Sequence, residues 1–313
     1  MPNPLVTVII PTRNRRQLVL RAVDSALRQD FQDFEIIVID DGSSDGTAEA
    51  LADKPRCRVI RTAHGGPAAA RNTGIAVAAG TLLAFLDSDD FWHANHLSQL
   101  VAAMGRPEVG MAYSPTQTAT LDGTAVGGRR DRRKCYSGQA LEALFRHIFV
   151  HTSNIVCRTR LVREVGGFDE SLPVCEDYHL WLRLALRSPL AFVDEATAIR
   201  CWHGQALSRL DRVRNAVVRA AMLERFYLAE GGQAVLPARA AHRRLGKVFF
   251  QAGRALAGAG QRADALKFFA KSLRYRPMCV RGWMGYVRCW LSPEQMGDPA
   301  SVQQLLERLA WTV

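Results

Sequence analysis

The chain has 313 residues, 48% of them hydrophobic and 23% charged, with 24 Gly and 13 Pro, a balance that excludes intrinsic disorder and a collagen-like repeat. The length suits one large globular domain or two moderate ones. Its formal charge of +11 is unevenly placed, since residues 1–212 carry 25 Lys and Arg against 24 Asp and Glu, whereas residues 213–313 carry 16 against 6.

In chain order, Leu5–Ile10, Glu35–Ile39, Arg58–Arg61, Thr81–Leu86 and Gly110–Tyr113 read as short strands rich in Val, Ile and Leu. Between them lie helix candidates at Arg16–Arg28, Thr47–Ala52, Gly66–Ala79 and Asn95–Gly105. Alternation of near-continuous apolar strands with amphipathic stretches predicts an α/β fold, a mainly parallel sheet with helices on both faces. Ligands of such sheets bind beyond the carboxyl ends of the strands, where each strand here ends in polar residues.

Residues 114–136 contain several Gly and the basic run Arg129-Arg130-Asp131-Arg132-Arg133-Lys134, and read as a flexible excursion from the core. From Ser137 to about Trp202 the pattern is mixed, with helix candidates at Gly138–Arg146 and Asp177–Arg187. After about Arg212 strand signals stop and helical periodicity takes over, which predicts a domain at 1–212 and a basic α-helical region at 213–313. There Gly253, Gly260, Ala265, Phe269 and Pro277 fall at the spacing of a tetratricopeptide repeat, with Trp283 where a next repeat would place its Trp. One repeat cannot stand alone, so this helix pair is expected to pack on other helices or on the catalytic domain. Gly258-Ala-Gly260-Gln-Arg-Ala263 formally matches a dinucleotide fingerprint, but it follows a helix and is set aside.

No apolar run reaches the roughly 18–20 residues of a bilayer span, and the opening segment lacks signal-peptide character, so a cytoplasmic protein is expected. Seven Cys with no metal-site spacing are expected to be free thiols. The basic C-terminal third is suited to an anionic membrane surface, a nucleic acid or an acidic partner.

Three acidic clusters carry candidate chemistry. Asp40-Asp41-Gly42-Ser43 follows the second strand, where its carboxylates either receive the N–H groups of a base and a ribose hydroxyl or form a turn with a helix cap. Asp87-Ser88-Asp89-Asp90 follows the strand Leu82–Leu86; three carboxylates in four residues repel unless a cation such as Mg²⁺ or Mn²⁺ neutralises them, with helix capping the alternative. Glu176-Asp177 opens a helical stretch, where acids of the first turn are stabilised by the helix dipole unless the pair serves chemistry.

Pro11-Thr12-Arg13-Asn14-Arg15, Asp40-Asp41-Gly42-Ser43, Ala70-Arg71-Asn72-Thr73-Gly74, Phe85-Leu86-Asp87-Ser88-Asp89-Asp90 and Glu176-Asp177-Tyr178-His179-Leu180-Trp181-Leu182-Arg183, in this order, resemble glycosyltransferase family 2 with the GT-A fold. The resemblance implies inverting transfer of a sugar from a nucleotide diphosphate donor, most often a UDP-sugar, assisted by Mn²⁺ or Mg²⁺. It assigns the nucleotide base to Asp41, the edge of that pocket to Pro11 and Arg13, and the donor phosphates to Arg71. Asp87 and Ser88 fall to the nucleotide sugar, Asp89 and His203 to the metal, and Asp177 to the general base. The Gln-x-x-Arg-Trp motif of processive synthases is absent, which implies single-sugar addition to a hydroxyl of a glycan, glycolipid or other acceptor. For the basic tail the readings are a solvated helix face or peripheral contact with an anionic membrane, and nucleic acid is not an expected partner. A binding or scaffold protein with a glycosyltransferase-like domain is the alternative; a nucleotidyltransferase is disfavoured because no Gly-rich phosphate loop with a following Lys succeeds the first strand.

Overall fold

The computed structural model describes residues 3–120, 124–126, 135–202 and 211–291. Two compact units divide the chain, Met1–Glu170 with Glu176–His203 and Ser171–Cys175 with Gly204–Val313.

In the first unit, β1 (Val6–Thr12), β2 (Phe34–Asp40), β3 (Cys57–Arg61) and β4 (Leu82–Phe85) pair in parallel in the order β3-β2-β1-β4. All seven residues of β1 are buried, which is why no hydrophobic alternation marks it. The helix α1 (Arg16–Leu27) buries Val19, Ala22, Val23 and Ala26 in one cluster with Val8, Ile10, Ile36 and Val38 on one sheet face. On the other face α3 (Gly66–Val77), reached after the short α2 (Thr47–Leu51), sets Ala70 against Ile37 and Ile39.

Beyond β4 the sheet changes direction. Strand β8 (Ile155–Arg158) is antiparallel to β4, β6 (Met111–Tyr113) is antiparallel to β8, and β9 (Leu190–Phe192) closes the seven-stranded sheet parallel to β6. A second sheet, β5-β10-β7, joins β5 (Phe91–Trp92), β10 (Ala198–Trp202) and β7 (Thr116–Thr120). Strand β7 thus lies inside the segment that reads as a flexible excursion; the basic run 129–134 lies outside the described residues. The remaining helices of the unit are α4 (His96–Ala103), α5 (Leu141–Arg146), α6 (Thr159–Glu164) and α7 (Glu176–Arg187).

The second unit is helical: α8 (Arg212–Ala229), α9 (Gly232–Val235), α10 (Ala238–Gly258), α11 (Arg262–Tyr275) and α12 (Val280–Leu291). Helix α10 packs on α8 and α11, and α11 on α12. A Cβ added at Gly253 would meet the Phe269 ring at 2.9 Å, and one at Gly285 would meet the same ring at 2.9 Å. Two glycines therefore clasp one aromatic ring and let α10 and α12 approach α11 closely. Buried Glu224 of α8 receives Lys271 Nζ at 2.8 Å and the Tyr275 hydroxyl at 2.6 Å, which fixes α8 on α11.

Candidate active site

The site forms at the carboxyl ends of the parallel strands. The backbone N–H of Leu86 still donates to Ile9 O at 3.0 Å, after which the chain leaves the sheet and turns, with the Asp90 N–H on Asp87 O at 2.9 Å. That turn brings carboxylate oxygens of Asp87, Asp89 and Asp90 all within 4.8 Å of one another. Asp90 is buried, and desolvation, then the charges of Asp87 and Asp89, push its carboxyl up to about 8. Converging hard oxygen donors under mutual repulsion fit a divalent cation of the Mg²⁺ or Mn²⁺ type. Asp89 Oδ2 also receives Arg15 Nη1 at 2.8 Å.

At the end of β2, Asp41 Oδ1 accepts the Gly65 N–H at 2.8 Å, while Oδ2 accepts the Gly66 N–H at 2.9 Å and lies 2.8 Å from His64 Nδ1. Burial works to raise this carboxyl, but the Gly65 N–H, His64 and the Gly66 N–H outweigh it and hold the group below the usual range. The Asp41 N–H donates to Thr12 O at 2.9 Å, so Asp41 sits against the end of β1 where Pro11 is buried and Arg13 exposed. Asn14, at φ 49°, links the neighbouring loops by accepting the Ser44 N–H at 2.8 Å.

Arg71, on α3, joins the second and third acidic clusters. Its Nη2 donates to Asp87 Oδ1 at 2.7 Å and its Nη1 to Glu176 Oε1 at 2.9 Å, with only 6% of the side chain exposed. Phe168 lies 5.2 Å from the guanidinium and packs edge-on with Phe85 and Trp181, an aromatic bed under the ion pairs. The sequence-based expectation for Arg71 is donor phosphate; the structure shows its guanidinium committed to two carboxylates.

Asp177, in the first turn of α7, receives the Tyr178 N–H on Oδ1 at 2.6 Å and the Thr152 hydroxyl on Oδ2 at 3.5 Å. Burial and then the neighbouring Glu176 raise its carboxyl to about 6, with Arg71 opposing. Asp87, Ser88, Asp89, Arg71 and Asp177 are thus drawn into one connected region, with Ser88 buried beneath the turn. His203 lies outside the described residues.

Residues that the sequence reading does not single out also shape the site. Arg15 pairs with Asp89, although the quoted first motif contains it; Thr152 and Ser153 approach the acidic groups from the turn Thr152–Asn154 before β8, and nothing in their local sequence marks them.

A family model described as glycosyl transferase family 2 matches residues 7–166. Chondroitin synthase of Escherichia coli is 30% identical over 216 residues, which are 66% of this chain and 31% of that protein. Pre-mycofactocin glycosyltransferase of Mycobacterium tuberculosis is 34% identical over 216 residues, 63% of this chain and 44% of that protein. The chain thus spans less than half the length of these two curated relatives. Among solved structures, the mannosyltransferase PcManGT of Pyrobaculum calidifontis, in complex with GDP-Man and Mn²⁺, superposes with a TM-score of 0.63 at 22% identity, covering 97% of this chain and 88% of that one. S. aureus TarS 1–349 in complex with UDP-GlcNAc gives 0.59 at 19% identity, covering 94% and 95%. These likenesses establish the GT-A fold, and with residues 7–166, half of the chain, matched by the family model the chain belongs to glycosyltransferase family 2.

Proposed function

We propose that the chain is a metal-dependent, inverting glycosyltransferase that moves one sugar from a nucleotide-diphosphate sugar, a UDP-sugar by expectation, to a hydroxyl of a glycan or glycolipid. The observation that carries this reading is the coupling of a buried, proton-hungry Asp177 to the Asp87–Asp90 turn through Glu176 and Arg71. An inverting displacement needs a base on the acceptor side and positive charge on the leaving side. Asp177 Oδ2 takes the acceptor proton as the hydroxyl attacks the anomeric carbon, and the raised proton affinity suits that role. Arg71 holds Asp87 and Glu176 in register beside the donor phosphates. Asp89 and His203 would hold a divalent cation, which would supply positive charge beside the leaving diphosphate. Pro11, Arg13 and Asp41 bound the nucleotide pocket, with Asp87 and Ser88 beside the sugar. We assign these steps to 1–212 and reserve 213–313 as a basic helical region that meets an anionic membrane from the cytoplasmic side.

Thermal unfolding against a panel of UDP-, GDP- and dTDP-sugars, with and without Mn²⁺, tests the reading. One donor class raises the unfolding temperature in a Mn²⁺-dependent way, since a ligand at about 100 times its Kd adds about 2.7 kcal/mol. Asp89→Asn loses the Mn²⁺-dependent part. Indifference of the wild-type chain to every nucleotide sugar overturns the assignment.

A further inference from the structure

The turn Thr152–Asn154 meets the acidic loop at its two ends. Ser153 is 2% exposed. Its Oγ accepts the backbone N–H of Asp87 at 3.1 Å and donates to Asp90 Oδ2 at 2.6 Å. Its carbonyl accepts Trp92 Nε1–H at 2.7 Å, which anchors the turn from the far side. Asp90 Oδ1 meanwhile accepts the Cys201 N–H of β10 at 2.9 Å. One hydroxyl thus fixes the backbone of the first residue of the Asp87–Asp90 loop and the side chain of its last. Both oxygens of Asp90 have donors, so Asp90 serves as a strut, and Asp89 lies between the two clamped ends with its Oδ2 held by Arg15 Nη1 at 2.8 Å.

We infer that Ser153 is a positioning residue for the cation loop: its hydroxyl, by bridging the Asp87 N–H and the Asp90 carboxylate, holds Asp89 where a divalent ion is bound. This rests on reading Asp89 as a metal ligand. A hydroxyl is suited to the task because one small neutral atom both accepts an N–H and donates to a carboxylate. Replacing it with a methyl group leaves the partly buried Asp87 N–H and a buried carboxylate oxygen of Asp90 each short of a partner. Loss of a group that orients a metal ligand typically weakens metal affinity by about 10–100-fold. The neighbouring Thr152 hydroxyl lies 3.5 Å from Asp177 Oδ2, so the same turn touches the cation loop and the proposed base.

The test is Mn²⁺ binding by the full chain, read from the electron paramagnetic resonance signal of free Mn²⁺ well below the unfolding temperature, without donor or turnover. Ser153→Ala is expected to weaken binding by about 10–100-fold, Ser153→Cys to fall between it and wild type because a thiol is a weak donor, and Asp89→Asn to abolish it. Wild-type affinity in folded Ser153→Ala overturns the positioning role and leaves Asp89 standing as a ligand. Saturable binding that survives Asp89→Asn overturns the ligand reading instead, and the absence of any binding by wild type overturns both. Ser153→Cys carries the comparison should Ser153→Ala fail to fold, and unweakened binding there counts against the inference equally. A purely structural role lowers the unfolding temperature of these variants without moving the Mn²⁺ affinity.

Discussion

Asp177 shows how a residue suited to catalysis opposes the stability of its fold. Its ordinary value of 3.8 rises to about 6 in the folded chain, chiefly through burial. Between those values the folded form retains a proton that the unfolded form releases, so stability falls as pH rises through this window and the loss is complete above about 6. Asp177→Asn is therefore expected to raise the unfolding temperature at pH 7.5, by an amount that shrinks toward pH 4, because the amide has no charge to desolvate. The same substitution should lower turnover by about 10²–10⁴-fold with donor affinity unchanged, since it removes only the proton acceptor. In wild type, kcat/KM should climb with pH through about 6 as the base ionises. Calorimetric donor binding together with pH-dependent unfolding checks both halves; collapse of donor affinity in the variant, or a lower unfolding temperature at pH 7.5, removes Asp177 from the base role. The sequence offers Glu176-Asp177 as either dipole-stabilised acids or a base. What decides between their surroundings is Arg71, 105 residues earlier, and that pairing exists only once α3 and α7 flank the end of β4.

At the scale of elements, β1 to β4 and α1 to α4 were legible because each carries its own signal. Strands β1, β2 and β4 are near-continuously apolar, β3 carries Val59 and Ile60 between Arg58 and Arg61, and the longer helices repeat their apolar residues at helical spacing. Strands β8, β9 and β10 carried no such signal: they span three to five residues, and their place depends on register with partners as distant as the Leu82–Arg158 pair. Strand β8, which makes both antiparallel pairings of the seven-stranded sheet, is not legible for that reason, and neither is the turn that brings Ser153 to Asp87. The helical unit was legible through its small residues, and its packing is testable at one of them. Gly253→Ala gains about 1 kcal/mol of helix propensity, yet its methyl group would meet the Phe269 ring at 2.9 Å, a ring that Gly285 also approaches. Phe269 is buried, so overpacking at about 1–3 kcal/mol outweighs the gain. Hydrogen exchange should report loss of amide protection in α10, α11 and α12 with β1 to β4 unchanged. Increased protection in α10 would show that the ring yields and that the clasp is loose.

Over the whole molecule, charge and exposed apolar surface are both concentrated in the C-terminal third. Residues 213–313 carry a net +10, from 16 basic and 6 acidic residues. On α10, Arg239, Arg243, Lys247 and Arg254 are exposed and Arg244 is half-buried. On α12, Trp283 is 50%, Met284 65%, Trp290 59% and Leu291 68% exposed. With Val280 and Val287 these side chains fall within an arc of about 120° on an ideal helix, and Arg281 and Arg288 lie together beyond one edge of it. Trp and aliphatic residues beside Arg are the composition of a helix lying in a bilayer interface. No helix among the described residues is long and apolar enough to cross a membrane. Each basic residue near an anionic surface adds about 1 kcal/mol, and the attraction fades over a Debye length of about 8–10 Å. A second copy of the chain is a poorer occupant of the α12 face, because two such surfaces bring like charges together. The full chain should therefore sediment with vesicles containing phosphatidylglycerol and not with phosphatidylcholine alone. High salt should weaken that binding, as should replacement of the five basic residues of α10 by Gln, and Trp283→Ala with Trp290→Ala should weaken it at low salt as well. Equal recovery in the supernatant with both lipids rejects the membrane as partner. If instead the two Trp substitutions lower the unfolding temperature or dissociate an oligomer, the α12 face is covered by protein.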